Sequence, residues 1–493
     1  MAKKFVEHKT LNLTNVNNEV LDTWKEKDVF RKSVEEKEGC PEFIFFEGPP
    51  SANGHPGIHH VMGRTIKDTF LRYKTMKGFQ VKRKAGWDTH GLPVELSVEK
   101  NLGITKEDIG KKISVDDYND ACRKNVMMYT DEWAQLTDKM GYWVDLDNPY
   151  ITYDNKYIET LWYLLKKLYE KNLLYKGYTI QPYSPAAGTG LSSHELNQPG
   201  CYRDVKDTTV TAQFYVDNAC QVLGEAFKDE KVYALAWTTT PWTLPSNTAL
   251  CVGPKIDYVA VRGNNPYTNE PAVFILAEAR LNAYFTPAKD DDGNVLPFDI
   301  VWKGKGAEIV GLHYKQLMPW VKPCALENGE IVVKEDEAFR VIPGDYVTTE
   351  DGTGIVHIAP TFGADDAKVA KDAGIPSLFI LDKGGDTRPM VDFQGKYFEK
   401  NDIDACFLEK CVNESYWKHS GDYVKNAYDP KYNVDGKYDE KAAAKEMDLN
   451  VVLCLEMKEE GSAFKIEKHV HNYPHCWRTD KPVLYYPLDS WFI

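Results

Sequence analysis

Residues 43 to 60 read FIFFEGPPSANGHPGIHH. The four apolar residues at the start are typical of a buried parallel strand, and a loop rich in glycine and proline follows them. A helical pattern then runs to Gly78, and residues 79 to 85 are predicted to form a second strand. The apolar residues of the helix share one side: Val61, Ile66, Phe70 and Tyr73. Strand, loop, helix and strand make a βαβ unit, which builds parallel α/β sheets.

The loop before this helix has the features of a phosphate site. A helix N-terminus exposes unpaired N–H groups and a partial positive charge, and glycines let a ligand approach the backbone closely. Imidazoles of His59 and His60 could donate hydrogen bonds to phosphate oxygens there. A surface turn carrying solvated histidines explains the same residues equally well, so local chemistry leaves both interpretations open.

A second candidate follows the second strand, where residues 86 to 95 read GWDTHGLPVE. A carboxylate at the C-terminal end of such a strand faces the ligand crevice of an open α/β sheet. Asp88 is therefore placed to accept hydrogen bonds from the ammonium of a free amino acid. The alternative is that Asp88 caps a helix or pairs with a nearby lysine.

The secondary-structure pattern of the sequence changes near Gly200. Residues 155 to 176 form the clearest helix, with Asp154 or Asn155 as its cap and Gly177 as its stop. From residue 200 to about 400 short β-like runs alternate with turns, which indicates a β-rich domain such as a barrel. These runs are residues 208–216, 232–237, 258–261, 272–277, 331–333 and 354–358.

Composition sets the broad class. The chain has 493 residues, 43% of them hydrophobic and 27% charged, which favours a globular protein of about two to four domains. The net charge of −14 gives no support to nonspecific binding of nucleic acid or of an anionic membrane. We find no apolar run long enough to span a membrane and no signal peptide. The ten cysteines form no CxxC pair, so free thiols in a reducing cytoplasm are expected.

Residues 57 to 60, followed by Thr-Ile-Lys-Asp at 65 to 68, resemble the first signature of class I aminoacyl-tRNA synthetases, His-x-Gly-His. Here the order is Gly-Ile-His-His, so the first histidine and the glycine have changed places, as in some eukaryote-like isoleucyl enzymes. His60 matches the second histidine, and His59 is the candidate for the first role. The string at 86 to 95 resembles the isoleucyl signature specifically. The resemblance implies contacts to ATP from Gly48, Pro49, Pro50, Asn53, Gly57, His59 and His60.

Two further segments resemble the editing domain of the isoleucyl, valyl and leucyl enzymes. Residues 237 to 247 read WTTTPWTLPSN, and residues 352 to 366 contain GTGIVHIAP and GADD. The first segment alone is explained by a strand that leads into a proline turn, and the second by a glycine turn, a strand and a capping aspartate. Their order, and their insertion into an α/β domain, carry the resemblance.

The resemblance implies a role for each editing residue. Asp366 would hold the ammonium of valine, and Thr238, Thr239 and Thr240 would line the ester and side-chain pocket. Asn247 and His357 would help to position the terminal adenosine of tRNA and the ester, with water as the nucleophile. A second pocket is needed because one methylene separates valine from isoleucine, a difference already known to give only about 1–3 kcal/mol in this enzyme family.

The implied fold is a Rossmann-like class I synthetase catalytic domain split by a β-rich, barrel-like editing insertion. The expected boundaries are an N-terminal extension at 1–41, the first half of the catalytic domain at 42–200, the insertion with its connection at 201–465, and the return at 466–493. Residues 42 to 200 and the stretch from about 465 are expected to share one parallel sheet. Within the extension, Trp24 and Phe30 are expected to anchor a short helix.

The expected ligands are ATP, with Mg²⁺ in the full protein, isoleucine, tRNA(Ile) and a valine-derived ester, in the cytoplasm and without a membrane. We predict no metal, zinc included. The cluster His469, His471, His475 and Cys476 lacks the paired spacing of zinc sites, and Cys476 is expected to be a buried thiol.

The second signature of the family, Lys-Met-Ser-Lys-Ser, does not occur in the sequence. Its cations act on the transferring phosphates, so we expect little or no isoleucine-dependent pyrophosphate exchange by this chain, which a standard exchange assay checks. The chain is therefore interpreted as an N-terminal fragment of such an enzyme. A free-standing aminoacyl-tRNA deacylase and a non-catalytic tRNA-binding or regulatory module are the alternatives. The Asp88 segment argues against the first, and the threonines with Asp366 argue against the second.

Overall fold

A computed structural model describes residues 10–287, 297–434 and 437–493. These residues form two compact units, Met1–Tyr175 with Ile493, and Lys176–Phe492. No helix in the described residues is both long enough and apolar enough to cross a membrane.

The first unit contains a small parallel sheet with helices. Its elements are, in chain order, α1 Leu13–Lys27, α2 Val29–Glu35, β1 Glu42–Phe46, α3 Ile58–Met76, β2 Gln80–Trp87, α4 Leu92–Leu102, α5 Val115–Val126, α6 Thr130–Lys139, β3 Asp145–Ile151 and α7 Asn155–Glu170. Strands β1, β2 and β3 lie side by side, and both pairings are parallel. The predicted βαβ unit is therefore confirmed.

Burial within this unit differs from the expectation. Strand β1 is half-buried on one face and exposed on the other, where Ile44 and Phe46 keep 57% and 60% of their surface exposed. The predicted apolar side of α3 is also largely exposed, including Ile66 and Phe70, whereas Leu71 is buried. The apolar residues in the sequence do not by themselves indicate which face of β1 or α3 is covered by other parts of the protein.

The N-terminal segment packs on the first unit through aromatic rings. The Trp24 ring lies edge-on to Trp143 at 5.0 Å, and the Phe30 ring lies 5.9 Å from Trp143. The guanidinium of Arg72 stacks over Trp143 at 3.8 Å. Trp24 and Phe30 thus anchor the helices α1 and α2, as the sequence predicts.

The second unit is rich in strands. Its elements are, in chain order, β4 Tyr175–Ser184, β5 Thr189–Gly190, α8 Ser193–Leu196, β6 Tyr202–Val216, α9 Ala219–Leu223, β7 Val232–Thr238, β8 Ala249–Val252, β9 Asp257–Asn264, β10 Pro271–Ala277, α10 Leu281–Tyr284, β11 Ile300–Lys305, α11 Gly306–Ile309, β12 Cys324–Glu327, β13 Glu330–Val333, β14 Arg340–Pro343, β15 Ile355–Ile358, α12 Ala364–Asp372, β16 Ile380–Leu381, β17 Thr387–Arg388, α13 Ala405–Cys411, β18 Asn433–Val434, β19 Lys437–Tyr438, α14 Glu440–Ala443, α15 Leu449–Glu460, β20 Ala463–Pro474 and β21 Leu484–Phe492.

A nine-stranded sheet organises this unit. Seven strands follow the order β11-β9-β10-β7-β15-β8-β14, and β6 joins β7 to β20. All six β-like runs predicted between residues 208 and 358 are strands. The sheet curls into a half-barrel, and its inner side buries the largest apolar core of the described residues, with Phe214, Trp242 and Tyr258 among its members.

The expectation that the chain from residue 465 joins the first parallel sheet is wrong. Strand β20 pairs antiparallel with β6 over eleven register positions from Ala463 to Pro474, and therefore completes the nine-stranded sheet. The last strand, β21, pairs with β4 in a separate three-stranded sheet. Strand pairing over such sequence distances depends on tertiary contacts that periodicity does not encode.

The helix predicted from residue 155 to 176 is shorter than expected. Helix α7 ends at Glu170, and Asn172 adopts a left-handed conformation with φ 56°. Asparagine tolerates this conformation, so it stops the helix before Gly177, which lies in β4 instead.

Candidate functional site

A cavity of about 350 Å³ lies in the second unit, and we call it the threonine cavity. Its wall contains Trp237, Thr238, Thr239, Thr240, Thr243, Tyr346, Thr348, Asp351, Gly352, Thr353, Gly354, Ile355, Val356, His357, Ala359, Phe362 and Asp366. Both sequence segments that resemble the editing domain therefore meet at one place. The volume lies in the range of small-ligand sites.

The threonines are held at the end of β7 by a tight turn. Residues Pro241–Ser246 form a 3-10 turn, in which the hydroxyl of Thr243 donates to the carbonyl oxygen of Thr240 at 2.9 Å. The Tyr397 hydroxyl donates to the Trp242 carbonyl at 2.6 Å, so the turn is fixed from the core. Thr243 was not among the predicted site residues. Its position three residues after Thr240, in the same turn, places its hydroxyl on the same wall and could have indicated it from the sequence.

Asp366 supplies a carboxylate to this wall. It lies in the first turn of α12, and its Oδ2 accepts a hydrogen bond from the Ala359 amide at 2.9 Å. A side chain on Gly363 would stand 2.7 Å from the Asp366 carboxyl carbon, so glycine is needed for this approach. Burial raises the pKa of Asp366 to about 6, and the charge of Asp365 adds to this effect. The Asp366 carboxylate thus has few hydrogen-bond donors around it and is suited to bind a cation.

His357 lies across from the threonines on β15. Its Nδ1 accepts from Asn247 Nδ2 at 3.1 Å, which leaves the proton on Nε2, where it is donated to the Thr243 hydroxyl at 2.9 Å. Burial lowers the pKa of His357 to about 4, so the imidazole is neutral near pH 7. With both ring nitrogens engaged, His357 orients its neighbours and has no free position from which to accept a proton.

Of the residues predicted for editing, Asn247 alone does not line the threonine cavity. It is 2% exposed, and its amide nitrogen also donates to the Ala249 carbonyl at 2.8 Å. Its Oδ1 accepts from the Tyr314 hydroxyl at 2.6 Å. Asn247 therefore affects the cavity only through its hydrogen bond to His357. A hydrogen-bonded chain, which we call the tyrosine–threonine chain, runs from Tyr314 through Asn247, His357, Thr243 and Thr240 to Thr238.

Tyr314→Phe is expected to destabilise the second unit. The change removes the donor to Asn247 and leaves a buried amide oxygen unpaired, which costs roughly 1–3 kcal/mol of unfolding free energy. Urea denaturation followed by tryptophan fluorescence measures the loss. Tyr178→Phe, at an exposed position of β4, is the matched control and should leave the midpoint unchanged. Equal midpoints for all three proteins would contradict the tyrosine–threonine chain.

The floor of the threonine cavity depends on two glycines with positive φ. Gly352 and Gly354 adopt φ 64° and 77°, a region that glycine enters without steric cost. A Cβ on Gly354 would lie 2.4 Å from the Ala277 Cβ, and one on Gly352 would lie 3.0 Å from the Trp237 ring. Strand β15 can start at this point only because both positions lack a side chain.

A second cavity, of about 550 Å³, lies in the first unit, and we call it the histidine cavity. Its wall contains Glu47, Gly48, Pro49, Pro50, Ser51, Asn53, Gly54, His55, His59, His60, Gly63, Arg64, Lys67 and Trp133. Six of the seven residues predicted to contact ATP line it, and Gly57 does not. Gly57 is the cap of α3 and donates its amide hydrogen to His60 Nδ1 at 2.9 Å.

Positive groups stand on one side of the histidine cavity. The guanidinium of Arg64 donates to Thr137 Oγ1 at 2.7 Å and lies 4.9 Å from the centre of the Trp133 ring. The ammonium of Lys67 pairs with the buried carboxylate of Glu47. Burial, and then the charges of His59 and Arg64, lower the pKa of His60. Arg64 and Lys67 lie one and two helical turns beyond the histidines, a spacing that could have signalled them from the sequence.

Asp88 lies directly after β2, as expected, but does not line the histidine cavity. Its amide donates to the Pro50 carbonyl at 3.1 Å, so it adjoins the loop that does. Its Oδ1 accepts from the His90 amide at 3.3 Å. The side chain is half-buried and pairs with no lysine in the described residues.

The histidines near the C-terminal end have other partners. His471 Nε2 lies 3.0 Å from Asp207 Oδ2, and His475 Nδ1 lies 3.0 Å from the Tyr473 carbonyl oxygen. Cys476 is fully buried, as predicted for a structural thiol. His471 and His475 therefore each have a hydrogen-bond partner within the protein.

Comparison with known proteins shows what the chain is similar to. The family described as tRNA synthetases class I (I, L, M and V) matches residues 19–248. The isoleucine–tRNA ligase of Bacteroides thetaiotaomicron is 65% identical over 502 residues, which cover 100% of this chain and 43% of that protein. The isoleucine–tRNA ligase of Bacteroides fragilis is 63% identical, with 100% and 42% covered. The chain thus spans about two fifths of the length of these relatives.

Among solved structures, the editing domain of the cytosolic leucyl-tRNA synthetase of P. knowlesi gives a TM-score of 0.31 at 15% identity, covering 53% of this chain and 97% of that one. A score of this size defines no common fold.

Residues 19–248 therefore carry a class I tRNA synthetase domain. Over its full length the chain is similar to isoleucine–tRNA ligases of that class. The predicted fold class is confirmed in its coarse form, a class I synthetase domain of mixed α/β fold together with a β-rich unit.

Proposed function

We propose that the threonine cavity hydrolyses a valyl ester on tRNA(Ile), and that the histidine cavity forms part of the site where the full protein activates isoleucine with ATP. The full protein would then attach isoleucine to tRNA(Ile) and remove valine attached in error. The observation that carries the editing part is the Asp366 carboxylate, held with a raised pKa in a cavity walled by threonine hydroxyls.

In the proposed hydrolysis, water adds to the ester carbonyl and the bond to the ribose oxygen breaks, which releases valine and the tRNA hydroxyl. Asp366 would bind the ammonium of the amino acid through charge-assisted hydrogen bonds. Thr238, Thr239 and Thr240 would enclose the side chain and the ester. His357 would hold the Thr243 hydroxyl in place rather than deprotonate the water, since both its nitrogens are engaged.

In the histidine cavity, the phosphates of ATP would lie against the N-terminal end of α3, where the helix dipole favours anions. His59, His60 and Arg64 would donate hydrogen bonds to phosphate oxygens. Mg²⁺ would neutralise part of the phosphate charge when it is bound with ATP. Asp88, beside the loop, would bind the ammonium of isoleucine.

Calorimetry with non-hydrolysable valyl- and isoleucyl-adenosine analogues tests the editing proposal. The valyl analogue is expected to bind this chain, and the isoleucyl analogue to bind several-fold more weakly because its extra methylene would have to be accommodated against the threonines of the wall. Absence of valyl binding, or equal affinity for both analogues, would remove the basis for the proposal.

The affinity for the valyl analogue is expected to fall by roughly tenfold from pH 7 to pH 5, since a group with a pKa near 6 passes from mostly ionised to mostly protonated. The direction follows from the raised pKa: the carboxylate needed for the ammonium exists above pH 6 and is lost below it. His357 stays neutral over this range. Asp366→Asn is the control and should show weak, flat binding. A flat profile for the unchanged chain would refute the role of Asp366.

A further inference from the structure

An arginine side chain holds the edge of the threonine cavity. We call residues 350–353 the rim loop: its first two residues are exposed, its last two are buried, and the last three line the cavity. Arg280, in the turn that follows β10, donates from Nε to the Gly352 carbonyl at 2.7 Å and from Nη1 to the Glu350 carbonyl at 2.9 Å. Arg280 therefore lies where the cavity wall meets the protein surface.

The positive charge of Arg280 is not compensated by a carboxylate. The side chain is half-buried and forms no ion pair with the residues that the structure describes. Carbonyl oxygens hold the guanidinium in place without cancelling its charge, and the hydrogens on Nη2 take no part in these two bonds. Arginine presents such hydrogens in a planar arrangement that matches the oxygens of a phosphate. An anion can therefore bind Arg280 without first breaking an ion pair.

The charges of the cavity wall indicate what a cation at its edge would do. Asp351 and Asp366 line the cavity and His357 is neutral near pH 7, so the described wall residues carry negative charge only. These carboxylates attract the ammonium of an amino acid but repel a phosphate. An aminoacylated tRNA end brings both groups, because its terminal ribose carries the ester and also a phosphate on the 5′ oxygen. Arg280 adjoins the wall without lining the cavity, so it suits the phosphate.

We propose that Arg280 binds the phosphate on the 5′ side of the terminal adenosine when an aminoacylated tRNA end enters the threonine cavity. This inference rests on the function proposed above for that cavity. Two N–H groups of the guanidinium hold the rim loop, and the others donate to phosphate oxygens. The ammonium of the ligand binds Asp366 and its phosphate binds Arg280. The cavity thereby favours an ester on a nucleotide chain over an ester without a phosphate.

Calorimetry at pH 7.5 and low salt tests this role with two non-hydrolysable ligands, the valyl-adenosine analogue and the same analogue carrying a 5′-phosphate. The phosphate is expected to raise the affinity of the unchanged chain about five- to tenfold, and added salt should reduce this gain. In Arg280→Gln the ratio of the two affinities should fall to about one. Loss of the bonds to the rim loop affects both ligands alike, so the ratio isolates the phosphate. Arg280→Lys keeps the charge and should retain part of the gain.

Arg340→Gln is the matched control. Arg340 is also half-buried and donates to two carbonyl oxygens, those of Glu337 and Ala373, but neither partner lines the threonine cavity. This variant should keep the full gain from the phosphate. The inference is overturned, and the editing proposal stands, if the unchanged chain binds both ligands equally or if Arg280→Gln keeps the gain. If the unchanged chain binds neither ligand, both proposals fail.

Discussion

Asp366→Ala is expected to weaken binding of the valyl-adenosine analogue by roughly ten- to a hundredfold. A charge-assisted hydrogen bond contributes about 1.5–3 kcal/mol, and the variant leaves the ligand ammonium unpaired in a half-buried site. Isothermal titration calorimetry at pH 7.5, where the carboxylate is ionised, measures the change.

The matched control is Asp365→Ala, one residue earlier in the same helical turn. Asp365 is exposed and does not line the threonine cavity, so this variant should bind the analogue within about twofold of the unchanged chain. Asp366→Asn separates charge from geometry, because an amide oxygen can still accept from Ala359. If Asp366→Ala and Asp365→Ala behave alike, the ammonium site must be placed elsewhere.

Gly354→Ala is expected to lower the unfolding free energy by roughly 2–5 kcal/mol. About 1–2 kcal/mol comes from forcing alanine into the left-handed region, and about 1–3 kcal/mol from the overlap of the new Cβ with Ala277. Urea denaturation gives the size of the loss. Binding of the valyl analogue should weaken as well, because Gly354 lines the threonine cavity.

Gly374→Ala isolates the backbone contribution. Gly374 also has positive φ, at 66°, but a Cβ there meets nothing within 4 Å. Its loss should be limited to about 1–2 kcal/mol with analogue binding intact. Losses of the same size in both variants would show that the approach of Gly354 to Ala277 is not tight.

The sequence predicted the strands of the second unit well because each run is short, apolar and bounded by turns. It also predicted that Thr238 to Thr240, His357 and Asp366 belong to one site. That prediction rested only on the resemblance, because the two segments are more than one hundred residues apart and no local pattern links them. The placement of Asn247 could not be foreseen. Its partner Tyr314 is 67 residues away, and only the folded sheet brings the two together.

Errors in the first unit have a different origin. The apolar residues of β1 and α3 predict two buried faces, yet Ile44, Phe46 and Phe70 are exposed. Hydrophobic periodicity indicates that a face is suited to burial but not which part of a protein covers it. The pairing of β20 with β6 likewise depends on a partner about 250 residues earlier, beyond the reach of pattern analysis.

The tyrosine–threonine chain limits how the threonine cavity can change. Thr238, Thr240 and Thr243 are each committed to a neighbouring hydrogen bond, so replacing any of them also disturbs the orientation of the others. Thr239 lines the same wall, and its hydroxyl bonds to none of the described residues. Of the four threonines at positions 238, 239, 240 and 243, it is therefore the one whose size can vary on its own. A change in which side chain the cavity admits is therefore most easily made at Thr239, because it disturbs none of these hydrogen bonds.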